Sequence, residues 1–269
     1  MRTARHRTLL AALVGVLATL AGLALPVAAD AAAVPLTARE RGNDVSYPQC
    51  GSPLPTAADF GIVGVDGGRP FEVNACLAEQ IGWARTAGRP AYYLNTANPG
   101  PRLSTHWPLG QTQPRTCTRR RPDSAACAFD YGWNAAKDSL ARARAAAASV
   151  GAPDVTTSSW WLDVEVHNTW ESLEYGHRAR FLGNDTAVLL GAKRLLERRG
   201  VRRVGVYSTL HQWQRITGGA SLGRAPVWYA GVGTQASARA RCAPANSFTG
   251  GPVRLTQFLR NGFDADLRC

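Results

Sequence analysis

The pattern that most restricts this chain is an alternation. From about residue 42, short β-branched runs bounded by glycine or proline take turns with stretches of helical spacing. "GNDVSY" (42–47), "GIVGVD" (61–66), "PAYYLN" (90–95), "SWWLDVEV" (159–166) and "RRVGVYS" (202–208) read as strands. Helices are expected over 72–88, closing on Gly88, over 127–151, over 185–200 and over "LHQWQRIT" (210–217). Toward the end, "APVWYAG" (225–231), "PVRLTQFL" (252–259) and "GFDADL" (262–267) read as strands with little helix between them. Alternation of this kind implies parallel strands joined by right-handed crossovers, and eight strands imply closure. The expected fold is α/β, a TIM-like barrel in a single domain spanning 42–269. The competing open doubly wound sheet needs a glycine-rich nucleotide fingerprint that the chain lacks.

The first residues concern location. "MRTARHR" is basic, "TLLAALVGVLATLAGLALPVAA" is apolar and built of small residues, and small-x-small sites end at Ala29 and Ala31. This is the pattern of a secretory signal peptide over 1–29, followed by a flexible segment over 30–41. An uncleaved membrane anchor is the alternative, since the apolar run is long enough to span. Export fits the cysteines: Cys50, Cys76, Cys117, Cys127, Cys242 and Cys269 are an even set in the exported part. Six cysteines allow fifteen pairings. Local pairs are expected, 50–76, 117–127 and 242–269, the second closing the long Pro-, Arg- and Thr-rich loop over 96–126. A connection that long is functional or disordered. No CxxC pair or cysteine–histidine cluster suggests zinc, so no metal or cofactor is expected.

The formal charge is +12, carried almost wholly by arginine, and it stays strongly positive without Arg2, Arg5 and Arg7. Outside a cell that charge suits anionic polymers such as cell-wall glycans and teichoic acids. Nucleic acid is not an expected partner, because no basic motif is interleaved with aromatics. Arg119–Arg121 lie in the long loop and read as solvated. No segment after the leader is long and apolar enough to insert stably in a membrane.

The stretch "WWLDVEVHNTW" (160–170) sets Asp163 and Glu165 in an apolar strand. Residues two apart in a strand share a face, so the two acids point together while Leu162, Val164 and Val166 pack on helices. Two readings stand: a solvent face that happens to be acidic, or a carboxylate pair at the mouth of a barrel. Close carboxylates raise one another's pKa, which lets one serve as an acid near neutral pH. Asp44 in the first strand and Asp264 in the last would join the same mouth, because those strands meet when a barrel closes. Asp66 is either a further inward acid or a turn residue, and His167 reads as a loop hydrogen-bonder. Tyr93, Trp161, Trp170, Tyr207 and Trp228 offer either sugar platforms or core.

These pieces together resemble the glycoside hydrolase family 25 lysozymes. Those open with G-x-D-V-S-x-x-Q, here "GNDVSYPQ" (42–49), and carry L-D-x-E, here "LDVE" (162–165). A V-x-Y-S/T strand with a Trp-containing helix ("VGVYSTLHQW"), a P-x-W strand ("PVWYAG") and a final "LTQF" with "FDAD" follow in the family's order. The resemblance implies a (β/α)5β3 barrel that cleaves the β-1,4 bond between N-acetylmuramic acid and N-acetylglucosamine. It implies Glu165 as general acid, Asp163 as stabiliser of an oxazolinium or oxocarbenium-like species, and Asp44 and Asp264 completing the cluster. Tyr93, Trp161, Tyr207, Trp228 and Gln257 would bind substrate. The expected partner is cell-wall peptidoglycan, met by a secreted, wall-associated monomer. The departures are Asp266 in place of the family's Asn, "VDGG" after the second strand, "YYLNTANPGP" after the third, and the 96–126 loop. They leave open a barrel that binds the wall without cleaving it, or one that cleaves another wall polysaccharide.

Overall fold

The computed structural model describes residues 41–56 and 58–269; the expected leader and almost all of the segment after it lie outside the described residues. Eight strands form a closed barrel in sequence order. They are β1 (Arg41–Val45), β2 (Phe60–Gly64), β3 (Ala91–Asn95), β4 (Ser159–Asp163), β5 (Arg203–Ser208), β6 (Val227–Val232), β7 (Val253–Arg260) and β8 (Phe263–Arg268). Arg41, expected in the flexible segment, opens β1. Strands β1 to β7 run parallel, and β8 is antiparallel to both of its neighbours, β7 and β1. The helices are α1 (Leu77–Thr86), α2 (Gly100–Leu103), α3 (Ala125–Ser149), α4 (Glu171–Glu174), α5 (Ala179–Arg198), α6 (Leu210–Thr217) and α7 (Gln235–Arg241).

The alternation departs from a (β/α)5β3 count in two places. A 3₁₀ turn, Tyr47–Gln49, stands after β1 instead of a helix, and α7 stands between β6 and β7. A parallel β7 must begin at the same end as β6, so the chain has to cross back, and α7 lies on that crossover. Its sequence, QASARAR, buries only Ala238 and has no apolar period to betray it.

Period-two alternation sorts the strand side chains into two cores. Outward residues such as Val63, Leu94, Leu162, Val206 and Val227 pack with Ile81 of α1, Leu140 of α3 and Leu189, Leu195 and Leu196 of α5. Each such burial contributes roughly 1.5–3 kcal/mol. Inward residues Phe60, Ile62, Trp161, Trp228 and Leu255 form a separate plug inside the barrel. Large rings fit there because glycines face them. A Cβ on Gly205 would stand 2.2 Å from the Trp161 ring, and one on Gly42 2.3 Å from Phe60.

Three disulfides, Cys50–Cys76, Cys117–Cys127 and Cys242–Cys269, tie the exit of β1 to the start of α1, the long loop to α3, and the end of α7 to the chain's last residue. Each contributes on the order of 2–4 kcal/mol. The long loop is ordered by a small core of its own. Trp107 packs with Cys117, Cys127, Phe129, Tyr131 and Val188, and its indole N–H donates to the Pro122 carbonyl at 2.7 Å. Among the described residues no helix is long and apolar enough to cross a membrane.

Candidate active site

In parallel strands the carboxyl ends share one face, and here that face gathers acids. Asp44 is the fourth residue of β1, and its carboxylate accepts from Gln257 Nε2 at 3.0 Å. Gln257 Oε1 in turn accepts from the Tyr207 hydroxyl at 2.8 Å and the Gly231 N–H at 3.2 Å. Asp163 is the last residue of β4; Asn95 Nδ2 donates to its Oδ2 at 2.6 Å, and its buried Oδ1 has no partner. Glu165 lies two residues past the strand's end, half-buried at the opening. Asp264 stands exposed near the start of β8, and Asp266, at the same parity, is fully buried beneath it.

Burial with few compensating charges decides how these groups titrate. Burial first, then the Asp264 charge, pushes Asp44 up to about 7, against the pull of the Gln257 hydrogen bond. Asp163 is raised well above the usual carboxylate range by burial, then by the charges of Glu165, Asp44 and Asp66. Glu165 is raised by burial and Asp264, opposed by Gln212 and His167. Burial raises Asp264 as well. No arginine or lysine forms an ion pair with any of them among the described residues. Each of these carboxyls is thus shifted toward keeping its proton, the direction a general acid requires.

Asp266 answers one of the departures. Burial and then Asp44 raise it well above the usual range, and its Oδ1 accepts from Trp228 Nε1 at 2.8 Å. A carboxyl that keeps its proton presents one acceptor and one donor, as the Asn amide it replaces would. Its other oxygen, Oδ2, is buried without a partner, and the carboxyl beside Asp44 lowers that group's titration.

The structure brings together Asp44, Asp163, Glu165, Asp264, Tyr207 and Gln257, with Tyr93 beside them. The Tyr93 and Tyr207 hydroxyls are both held far above their ordinary range by burial and by these same carboxylates. Trp161 and Trp228 do not join as sugar platforms. At 4% and 1% exposure they are plug residues, edge to face with each other 5.8 Å apart. Trp170 is buried too, and its indole N–H donates to the Glu165 carbonyl at 2.8 Å, fixing the acid's backbone from behind. Asp66 is a support: it accepts from the Asn95 N–H at 3.0 Å, and burial pushes it to about 8. Sequence reasoning missed Asn95 and Gln212. Gln212 Oε1 takes the Val166 N–H at 2.7 Å, and its amide pulls the Glu165 carboxyl's pKa down. Neither has a local signal beyond an amide near a strand end.

No family model matches the sequence, and no curated protein matches it. Among solved structures the fold is similar to a family GH25 lysozyme from Aspergillus fumigatus, at 15% identity and a TM-score of 0.51, over 86% of this chain and 93% of that one. It is also similar to the spore cortex lytic enzyme SleM of Clostridium perfringens, at 13% identity and a TM-score of 0.51, over 86% and 67% of the two chains. The modular autolysin LytC from Streptococcus pneumoniae, solved with a synthetic peptidoglycan ligand, matches at 13% identity and a TM-score of 0.50; 85% of this chain covers 46% of it. Identities this low establish a shared barrel fold.

Proposed function

We propose that this chain is a secreted glycoside hydrolase of the muramidase type, cleaving the β-1,4 bond between N-acetylmuramic acid and N-acetylglucosamine in cell-wall peptidoglycan. The observation that carries the reading is Glu165: a carboxyl with a raised pKa, half-open to solvent, on the lip of a buried acidic cluster. The similarity of the fold to a family GH25 lysozyme supports it. Glu165 gives its proton to the glycosidic oxygen as the C–O bond breaks. Asp163, two residues away, answers the developing positive charge, its buried Oδ1 without a hydrogen-bond partner and its Oδ2 held by Asn95. Glu165, now a carboxylate, takes a proton from the water that attacks the anomeric carbon. Tyr93, Tyr207 and Gln257 bind the sugar at the mouth, and Asp44 and Asp264 set the electrostatics.

A second reading, a wall-binding barrel without turnover, is favoured by one observation. Burial holds the Asp163 carboxyl well above its ordinary range, and a carboxyl that keeps its proton cannot stabilise a cation. Incubation with purified peptidoglycan across about pH 4–8, with mass analysis of released fragments, decides between them. Muropeptides from wild type and none from Glu165→Gln are expected. Co-sedimentation without cleavage at any pH assigns the binding barrel, and equal cleavage by both proteins shows that another group is the acid.

A further inference from the structure

A sizeable cavity stands apart from the acidic mouth. It lies at the opposite end of the barrel, about 660 Å³ in volume, where β2, β3, β4 and β5 begin and β8 ends. Four arginines line it: Arg89 before β3, Arg203 at the start of β5, Arg254 in β7 and Arg268 at the end of β8. No aspartate or glutamate side chain lines it, and none of the four arginines forms an ion pair among the described residues. If the Cys269 terminus adds one carboxylate to the rim, the excess of positive charge remains. Arg268 is held in place, its guanidinium 4.3 Å over the Phe60 ring. Trp161 also lines this cavity, and its buried indole N–H has no acceptor in the protein. The basin is thus rich in donors and free of acidic side chains, the reverse of the mouth.

We propose that this basin is a second binding site, for the phosphodiester backbone of an aliphatic polyol-phosphate polymer. Guanidinium groups match phosphate oxygens in fork geometry, and four of them call for more than one phosphate. The volume admits several linked units, well beyond a single inorganic anion. Single-stranded nucleic acid needs exposed aromatic faces on which bases stack. Here Phe60, Trp160 and Trp161 are buried and offer no exposed face, while Pro90, Pro226 and Pro252 supply apolar walls suited to aliphatic carbon. The site is independent of the mouth, so it stands or falls separately from the hydrolase reading.

The test is calorimetric titration of the chain with an oligomer of glycerol phosphate, beside inorganic phosphate and a single-stranded DNA of equal phosphate number. The oligomer is expected to bind most tightly, with affinity falling steeply between about 50 and about 200 mM salt. Arg203→Gln combined with Arg254→Gln, both at exposed positions, should weaken it by at least about tenfold, and the indole proton resonance of Trp161 should shift on binding. Glu165→Gln should bind as wild type does. No binding at low salt, or binding that the double variant leaves unchanged, overturns the proposal. DNA bound as tightly as the oligomer overturns the choice of polyol phosphate, and inorganic phosphate bound as tightly reduces the basin to a single-anion site.

Discussion

The two ends of the barrel are built by the same strands and carry opposite charge. β5 runs from Arg203 at its base to Tyr207 beneath the mouth, and β8 runs from Asp264 at the mouth to Arg268 at the base. Between them sits the plug of Phe60, Ile62, Trp161, Trp228 and Leu255. The ends also differ in burial. Asp44, Asp163 and Asp266 are buried, whereas Arg89, Arg203, Arg254 and Arg268 are exposed. Buried like charges relieve one another by holding protons, so the mouth is equipped for proton transfer. Exposed guanidinium groups stay charged, so the base can only bind.

The strongest way to break this comparison is to alter one end and assay both. Glu165→Gln should lower peptidoglycan cleavage by ~10²–10⁴-fold, since an amide has no proton for the leaving oxygen. The Arg203/Arg254 double variant should leave that rate unchanged. A comparable loss from the arginine variant would show that the ends are coupled through the plug.

The next effect sharpens the claim that the mouth stores protons. Asp66 lies behind Asn95, with Ser139 Oγ 2.9 Å from its Oδ1. That hydroxyl donates to Asp66 and also lies 3.0 Å from the Ala135 carbonyl, so its one proton is shared between two acceptors and opposes the burial that raises Asp66 only in part. With a folded pKa of about 8 against 3.8, Asp66 binds more protons folded than unfolded. Its contribution is complete below about pH 4 and is lost as pH rises toward 8, by at most about 1.4 kcal/mol per pH unit. Asp66→Asn keeps one acceptor and one donor, so urea unfolding should show stability that no longer declines over that window. An unchanged slope would mean that Asp66 is ionised in the folded protein.

How much of this was legible in sequence follows from the same geometry. Parity placed Asp163 and Trp161 on the inward face, and α6 matches the expected 210–217. Parity says which face a residue takes, not which end of the barrel it serves. Trp161 is two residues below Asp163, roughly 7 Å down the strand. That distance separates the mouth from the plug, and it is why Trp161 serves the opposite cavity instead of a sugar. Asn95 and Gln212 were missed because their targets lie on other strands and only closure of the barrel brings them near. The plug itself can be tested. Gly205→Ala would set a Cβ against the Trp161 ring and 2.8 Å from the Pro226 carbonyl. Overpacking there should cost ~1–3 kcal/mol in urea unfolding and weaken binding at the base before it slows cleavage at the mouth. A neutral substitution would show that the plug has slack.

The smallest effect concerns which acid tunes Glu165. From sequence, Asp163 is the like-charged neighbour that raises it. In the structure burial raises Asp163 itself well above the usual range, and the neighbour's charge raising Glu165 belongs to Asp264. Removing that charge lets Glu165 ionise more readily, so its pKa falls. The limb of kcat/KM on which the acid loses its proton should therefore move toward acid in Asp264→Asn. Asp163→Asn should reduce the rate strongly, because Asp163 gives up its proton in the substrate complex to answer the developing cation and an amide cannot, yet leave that limb where it was. Burial contributes more to the Glu165 shift than Asp264 does, so the movement is partial and the profile keeps its shape. A limb displaced by Asp163→Asn and untouched by Asp264→Asn would mean that Asp163 carries its charge in the free protein. The mouth would then be a pair of ionised neighbours of the kind read from "LDVE" alone, and burial would have lost to solvation at that end of the barrel.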